Sequence, residues 1–231
     1  LAGESLLPGR SQVAFPQWPD YQGYTNFAKT SWEEALSTPS DHFQSNTAYG
    51  VGSYNKGAVF LAQLAYVIGP EAMDAGLLRY YEDWKFKHPD DKDFIRIMEK
   101  VSGLELDWYL DYFVYSTHSI DYRVKSFDPS GRANTSVTLE RAGAMPMPVD
   151  VEITLRDGSK QRFHIPLCMM RGGKSADAIF GEFAMLEPWP WVKPAYTFTI
   201  PVKHADIAKI VIDPSGRMAD IVRGNNELTG K

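Results

Sequence analysis

The sequence predicts an α+β fold: a helical layer over residues 1–120, then an antiparallel β-sandwich over residues 121–231. Three observations carry this expectation. Apolar residues recur at intervals of three and four from Tyr54 to Val101, then alternate with polar ones after Ile120. The helical segments succeed one another with short connections, which makes them antiparallel neighbours. The second part holds several short strand candidates separated by turn signals, the pattern of a sandwich.

The first 48 residues show little periodicity. Pro16, Pro19 and Pro39 predict irregular backbone, anchored by Phe15, Trp18, Tyr21 and Tyr24. Ser31 and Glu34 fit a capping box, so a short helix is expected from Trp32 to Leu36, ended by Pro39. From Tyr54 to Ile68 the period is helical, with Phe60, Leu61, Leu64, Val67 and Ile68 inward and Gln63 on the other face. Gly69 suits the end of that helix and Pro70 the start of the next. The next runs from Glu71 to Phe86, with Met73, Leu77, Leu78, Tyr81 and Trp84 inward, and Pro89 stops it. Asp91 or Asp93 caps a third helix bearing Phe94, Ile97, Met98 and Val101, which Gly103 ends. Leu106 to Tyr115 reads as a fourth helix.

Beyond Ile120, alternation marks strands at Tyr122–Val124, Val137–Leu139 and Val149–Leu155. Asp157-Gly158 is a hairpin signal leading into Gln161–Leu167. Ala195–Val202 and Ala208–Ile212 are further candidates. Asp-Pro-Ser-Gly-Arg occurs at 128–132 and at 213–217, and both copies read as turns. Residues 169–194, with a Pro-Trp-Pro core, read as a long loop or irregular edge.

Composition excludes several function classes. With 44% hydrophobic residues in 231, a sizeable core can form, which excludes disorder, collagen and a coiled coil. Lys and Arg number 24 against 29 Asp and Glu, and no long basic run exists. That argues against a nucleic-acid or anionic-membrane partner. No stretch of 18 apolar residues is present, so no membrane span is expected. The lone Cys168 excludes an intrachain disulfide framework and a cysteine-rich zinc site. The opening LAGESLLPGR lacks signal-peptide order and the chain begins with Leu, so it reads as a piece of something longer.

Weak chemical signals fall away first. Arg171-Gly-Gly-Lys-Ser175 resembles the end of a phosphate loop but lacks the earlier glycine, and reads as a polar turn. Cys168 stands four residues after His164, too far along a strand to pair, and reads as a buried structural thiol. His42, His88, His118, His164 and His204 include no metal-binding spacing. Asp90-Asp91 reads as a solvated helix start. One cluster remains, Tyr49-Gly-Val-Gly-Ser-Tyr54-Asn-Lys-Gly57, at the start of the best helix. Taken alone, Tyr54 is either a packing residue or a phenol that donates a hydrogen bond into a pocket.

Tyr54-Asn-Lys56-Gly57 running into an apolar helix resembles the Tyr-x-Lys-Gly segment of the family M1 zinc aminopeptidases, the gluzincins. Leu78-Arg79-Tyr80-Tyr81, Trp84 to Pro89, Asp93-Phe94, Met98-Glu99 and Ser102-Gly103 are similar, in order and spacing, to the later helices of that family. Leu106 to Tyr109 and Ile120-Asp121-Tyr122 are similar to its exit toward a β domain. The likeness spans residues 45–125 and, more weakly, 200–227. It implies the late helices of a gluzincin catalytic domain followed by a β-sandwich. Tyr54 then corresponds to the tyrosine that shares transition-state charge, Tyr49 to a second pocket tyrosine, and Lys56 and Gly57 to structural positions. The implied cofactor is zinc and the implied substrate a peptide losing its N-terminal residue.

The chain also departs from the family. His-Glu-x-x-His, the downstream Glu and the Gly-x-Met-Glu-Asn-type element are all absent. The zinc ligands are therefore expected outside this chain, in an upstream part of the same polypeptide, and the chain alone is expected to be inactive. The resemblance leans towards an extracytoplasmic or periplasmic setting. Two other readings stand beside it. One is a non-catalytic M1-like scaffold. The other is an unrelated helical and sandwich protein that binds protein or carbohydrate through Trp189-Pro-Trp191.

Overall fold

In the computed structural model, which describes residues 15–230, helices come first and strands second. The helices are α1 (Trp18–Phe27), α2 (Asn46–Gly50), α3 (Gly57–Ile68), α4 (Pro70–Trp84), α5 (Asp91–Ser102) and α6 (Asp107–Phe113). A π-helical turn, Val51–Lys56, joins α2 to α3. The strands are β1 (Tyr122–Ser130), β2 (Asn134–Arg141), β3 (Val149–Leu155), β4 (Lys160–Ile165), β5 (Ala184–Met185), β6 (Ala195–Ile200), β7 (Ile207–Ile212) and β8 (Glu227–Thr229). The protein is α+β, as its changing apolar period implies.

The opening segment differs from expectation twice. Residues 18–27 form a helix, because Pro19 fits its first turn and Tyr21 and Tyr24 bury their rings against the rest of the chain. The Tyr21 hydroxyl donates to the carbonyl of Arg217 (2.6 Å), and the Arg223 guanidinium lies over Trp18. Residues 32–36 form no helix. The Glu34 carboxylate accepts from the Gln44 backbone N–H instead of closing a capping box, and Glu33 is drawn into an ion pair with Lys56.

In α3, Phe60, Leu64, Val67 and Ile68 are buried as expected. Gln63 is not on the outer face but fully buried. Its amide accepts from the Ala219 N–H (2.7 Å) and donates to the Tyr109 hydroxyl (3.4 Å), which itself donates to the Phe60 carbonyl. A buried amide with both ends satisfied is tolerated. Leu61, expected inside, is exposed. In α4 only Met73 and Gly76 are buried, the glycine because a Cβ there would meet the Met98 sulfur at 2.4 Å. Leu77, Leu78 and Tyr81 face outward, against expectation. Helix α5 is capped by Asp90 rather than Asp91 or Asp93. Asp90 accepts from the Asp93 N–H while the Asp93 side chain accepts from the Asp90 N–H, a complete capping box. Gly103 closes the helix in the left-handed region at φ 72°.

The strands form two sheets, ordered β1-β2-β6 and β5-β4-β3-β7-β8. Every pairing is antiparallel except β4 with β5, where the long connection returns the chain alongside β4 in the same direction. The sheets make an open, sandwich-like pair. Val137 and Leu139 from the first sheet and Val151, Ile153 and Ile210 from the second are fully buried in one apolar cluster. That cluster also holds Leu64, Val67 and Phe113 from the helices.

Residues 168–194 contain the other departures. Cys168 is exposed, because a 3₁₀ turn over 168–170 lifts it off the end of β4. Lys174, expected in a polar turn, is buried and paired with Asp150 (2.7 Å) and Asp177 (3.6 Å). His164 Nδ1 meets the other Asp150 oxygen at 2.7 Å. Trp189 is buried with its indole N–H on the Lys193 carbonyl, leaving only Trp191 partly exposed. The exposed aromatic pair that a carbohydrate surface would use is therefore not formed.

Candidate functional site

The segment around Tyr54 is built from three consecutive helical pieces. Ser45 caps α2, its hydroxyl accepting from the Ala48 N–H (3.1 Å). The chain then widens into the π turn from Val51 to Lys56 before tightening into α3. Such turns are rare and cluster at functional sites. Two side chains pin this one. The Asn55 amide donates to Asp20 of α1 (2.9 Å). Lys56 reaches the other way, into the protein.

Lys56 is 2% exposed. Its ammonium pairs with Glu33 (2.8 Å), donates to the Ser116 carbonyl (3.1 Å) and lies over the rings of Tyr24 and Phe113. Burial pushes its pKa down, and the Glu33 carboxylate opposes that shift. Lys56 thus ties the π turn to the loop at 33 and to the end of α6, and is a positioning residue. Gly57 has helical backbone angles, and a Cβ there would meet no atom among the described residues within 4 Å. No close approach requires the glycine.

Tyr54 lies on the opposite side of the π turn and is 69% exposed. Tyr49 is half-buried, and its ring meets that of Tyr54 edge-on at 6.2 Å and that of Phe43 at 5.6 Å. The structure therefore brings the two sequence-selected tyrosines together as one aromatic pair, with Phe43 behind them. Phe43 carried no periodic signal in the sequence. Its ring approaches Gly52 closely, 3.1 Å from a Cβ built there, a contact that no local sequence signal shows.

Among the described residues no group of three His, Cys, Asp or Glu side chains converges in a way that could bind a metal ion. His164 is buried and committed to Asp150. Among the described residues no metal-binding cluster stands beside Tyr54. Among the described residues no helix is long and apolar enough to cross a membrane.

Known proteins match this segment. Residues 22–113 match the Peptidase family M1 domain. A glutamyl aminopeptidase of Bitis rhinoceros is 35% identical over 89 residues, which are 38% of this chain and 9% of that protein. An aminopeptidase A of Gloydius brevicauda matches with the same identity and coverage. The matched stretch is thus a small part of either relative. In structure, the chain is similar to Legionella pneumophila aminopeptidase A, solved in complex with aspartic acid, with a TM-score of 0.53 and 12% identity over 81% of this chain and 19% of that one. That likeness concerns the fold and extends beyond the helices into the sheets. The family match begins inside α1 and ends at the last residue of α6, so it takes in Tyr49, Tyr54 and Lys56. The likeness in sequence to the M1 peptidase domain is carried by residues 22–113, less than half of this chain.

Proposed function

We propose that this chain is the C-terminal portion of a zinc-dependent M1-type aminopeptidase that removes N-terminal residues from peptides. The carrying observation is Tyr54, a largely exposed phenol held on a pinned π turn within the stretch that matches the family. In this reading its hydroxyl donates a hydrogen bond to the oxyanion as negative charge develops on the scissile carbonyl oxygen. The Tyr49 ring stands edge-on beside Tyr54 as a second wall of the pocket. Lys56 holds the turn itself by its buried ion pair. In this reading the metal and the group that activates water come from residues outside this chain; no cluster among the described residues would hold a zinc ion.

Steady-state kinetics of the full-length protein with an aminoacyl reporter test the reading. Tyr54→Phe keeps the ring and removes one donor. It is expected to lower kcat about 10²–10³-fold with KM and metal content nearly unchanged. Tyr49→Phe is expected to cost less. Near-normal turnover in Tyr54→Phe would return Tyr54 to a packing role. A full-length protein without the His-Glu-x-x-His element would favour the non-catalytic scaffold instead.

A further inference from the structure

We propose that Phe43 is a positioning residue for the reaction, its ring clamping the first half of the π turn at Gly52 and so setting where the Tyr54 phenol stands. The inference rests on the reading of Tyr54 as the oxyanion donor, and adds the residue that holds the donor in place.

A π turn is a rare conformation, and the two halves of this one are held by different means. The second half carries polar ties, from Asn55 to Asp20 and from Lys56 to Glu33. The first half is held by packing. Gly52 is buried, and the Phe43 ring lies so close that a Cβ at this position would stand 3.1 and 3.4 Å from two of its carbons. The absent side chain is what lets the ring rest on the backbone of the turn. The same ring meets Tyr49 edge-on at 5.6 Å, within the range where aromatic pairs attract. Gly52 precedes Tyr54 by two residues in one turn, and Tyr49 is the ring beside Tyr54. Phe43 thus contacts both the backbone that carries the donor and the ring that flanks it. A phenyl ring has no polar atom to offer the chemistry, so its part is placement alone.

The loop that delivers Phe43 is itself anchored to the far end of the turn. Gln44, next in sequence, donates its backbone N–H to the Glu34 carboxylate (3.1 Å). The neighbouring Glu33 pairs with Lys56 at 2.8 Å, and Lys56 also donates to the Glu34 carbonyl at 3.5 Å. Residues 33 and 34 therefore hold the last residue of the π turn directly and its first half through Phe43. One short segment fixes both ends, and every contact in this frame is made within residues 33–56.

Steady-state kinetics of the full-length protein test the proposal, with Phe43→Ala and Gly52→Ala made singly and in combination with Tyr54→Phe. Phe43→Ala removes the clamp, whereas Gly52→Ala keeps the ring and pushes it off the turn. Phe43→Ala is expected to lower kcat about 10–10²-fold, with KM and metal content nearly unchanged. Gly52→Ala is expected to act in the same direction by a smaller factor. In the Tyr54→Phe background no donor is left to misplace, so either change should cost little more, a coupling that a merely structural residue would not show. Fluorine NMR of a fluorotyrosine at position 54 should show its signal displaced by Phe43→Ala. Near-normal kcat in folded Phe43→Ala, an unmoved fluorine signal, or an equal loss with and without the Tyr54 hydroxyl would overturn the proposal and leave the role of Tyr54 standing. Near-normal turnover in Tyr54→Phe alone would remove that role, and this proposal with it. If Phe43→Ala does not fold, Gly52→Ala carries the same comparison, and an unchanged kcat in it overturns the proposal.

Discussion

The helical and the sheet regions finish their surfaces differently. Before residue 116 the exposed large apolar side chains include Tyr54, Leu61, Leu77, Leu78, Tyr81 and Phe86, four of them within regular α-helices. After residue 120 they are Ile179, Met185, Trp191, Val192 and Val222, and only Met185 belongs to a strand. The sheets have satisfied both faces. Along β3 the apolar Val149, Val151 and Ile153 face the core, while Asp150 and Glu152, on the other face, are covered by Lys174, Lys160 and Arg162. The helices have satisfied one face and left apolar side chains on another. A surface of this kind marks interaction more often than chance. The lesson is that periodicity reports which residues are apolar, not which of two apolar faces the chain itself covers.

Among the described residues each region buries one lysine, and the two can be set against each other. Lys56→Met removes the charge that compensates Glu33, itself only 6% exposed at its side chain, and is expected to cost about 3–5 kcal/mol. Lys174→Met should cost less, because His164 still contacts Asp150. Urea denaturation measures both. Since helices and sheets share one apolar cluster, each variant is expected to shift a single transition. Two separate transitions would show that the regions are energetically independent.

The junction between the regions gives the next largest effect. Asp220 is buried where its carboxylate accepts from the N–H groups of Tyr122 and Val222, and burial raises its pKa to about 6. A raised pKa means that the folded state holds the proton more tightly than the unfolded state. Its contribution is therefore fullest below about pH 4 and is lost as pH rises through about 6, a change on the order of 3 kcal/mol. Buried Asp213 shifts in the same direction. Glu140 and Glu152, whose pKa values are lowered by their Arg and Lys partners, act oppositely, and their stability is lost as pH falls below the ordinary glutamate range. The expected profile therefore declines from mildly acidic to neutral pH, and Asp220→Asn should flatten that decline. A wild-type profile flat from pH 4 to 7 would contradict the burial of this charge.

Two smaller effects sharpen the contrast. Gln63→Leu leaves the Ala219 N–H without its partner and should cost about 1–3 kcal/mol. Leu78→Ser, on the uncovered face of α4, should change stability by less than about 0.5 kcal/mol. A loss of several kcal/mol at Leu78 would mean that this face is covered in solution.

Much of the architecture was legible because it rests on local signals. The helices from α3 to α6, their Gly69 and Gly103 ends, and the Asp-Pro-Ser-Gly turn at 213–216 depend on residues close in sequence. The first copy departs from expectation: Asp128, Pro129 and Ser130 continue β1 because they pair with β2, and the turn falls on 131–133. What escaped depends on partners far away. Helix α1 draws on contacts with residues 217 and 223, and Gln63 on Ala219, none of which a local period can show. Lys174 looked like a turn residue because its partner Asp150 lies on β3. The Tyr54 segment was legible as a motif, but the π turn that sets its side chains on opposite sides was not, since one extra residue per turn leaves no mark on composition. Phe43 was invisible for a similar reason, as it contributes a ring from an aperiodic loop.

The hydrogen bond from Tyr21 to Arg217 closes a span of 196 residues. During synthesis from the N-terminus, α1 emerges long before its anchors at 217 and 223 exist. Its own sequence, with a proline and a glycine in ten residues, gives it little reason to stay helical alone. Settling of α1 must therefore wait until residues 217 and 223 have emerged, which places it late in the folding of this region. Until then the aromatic rings of Phe15, Trp18 and Tyr21 lack their partners at Arg217 and Arg223, which makes this segment a natural client for chaperones.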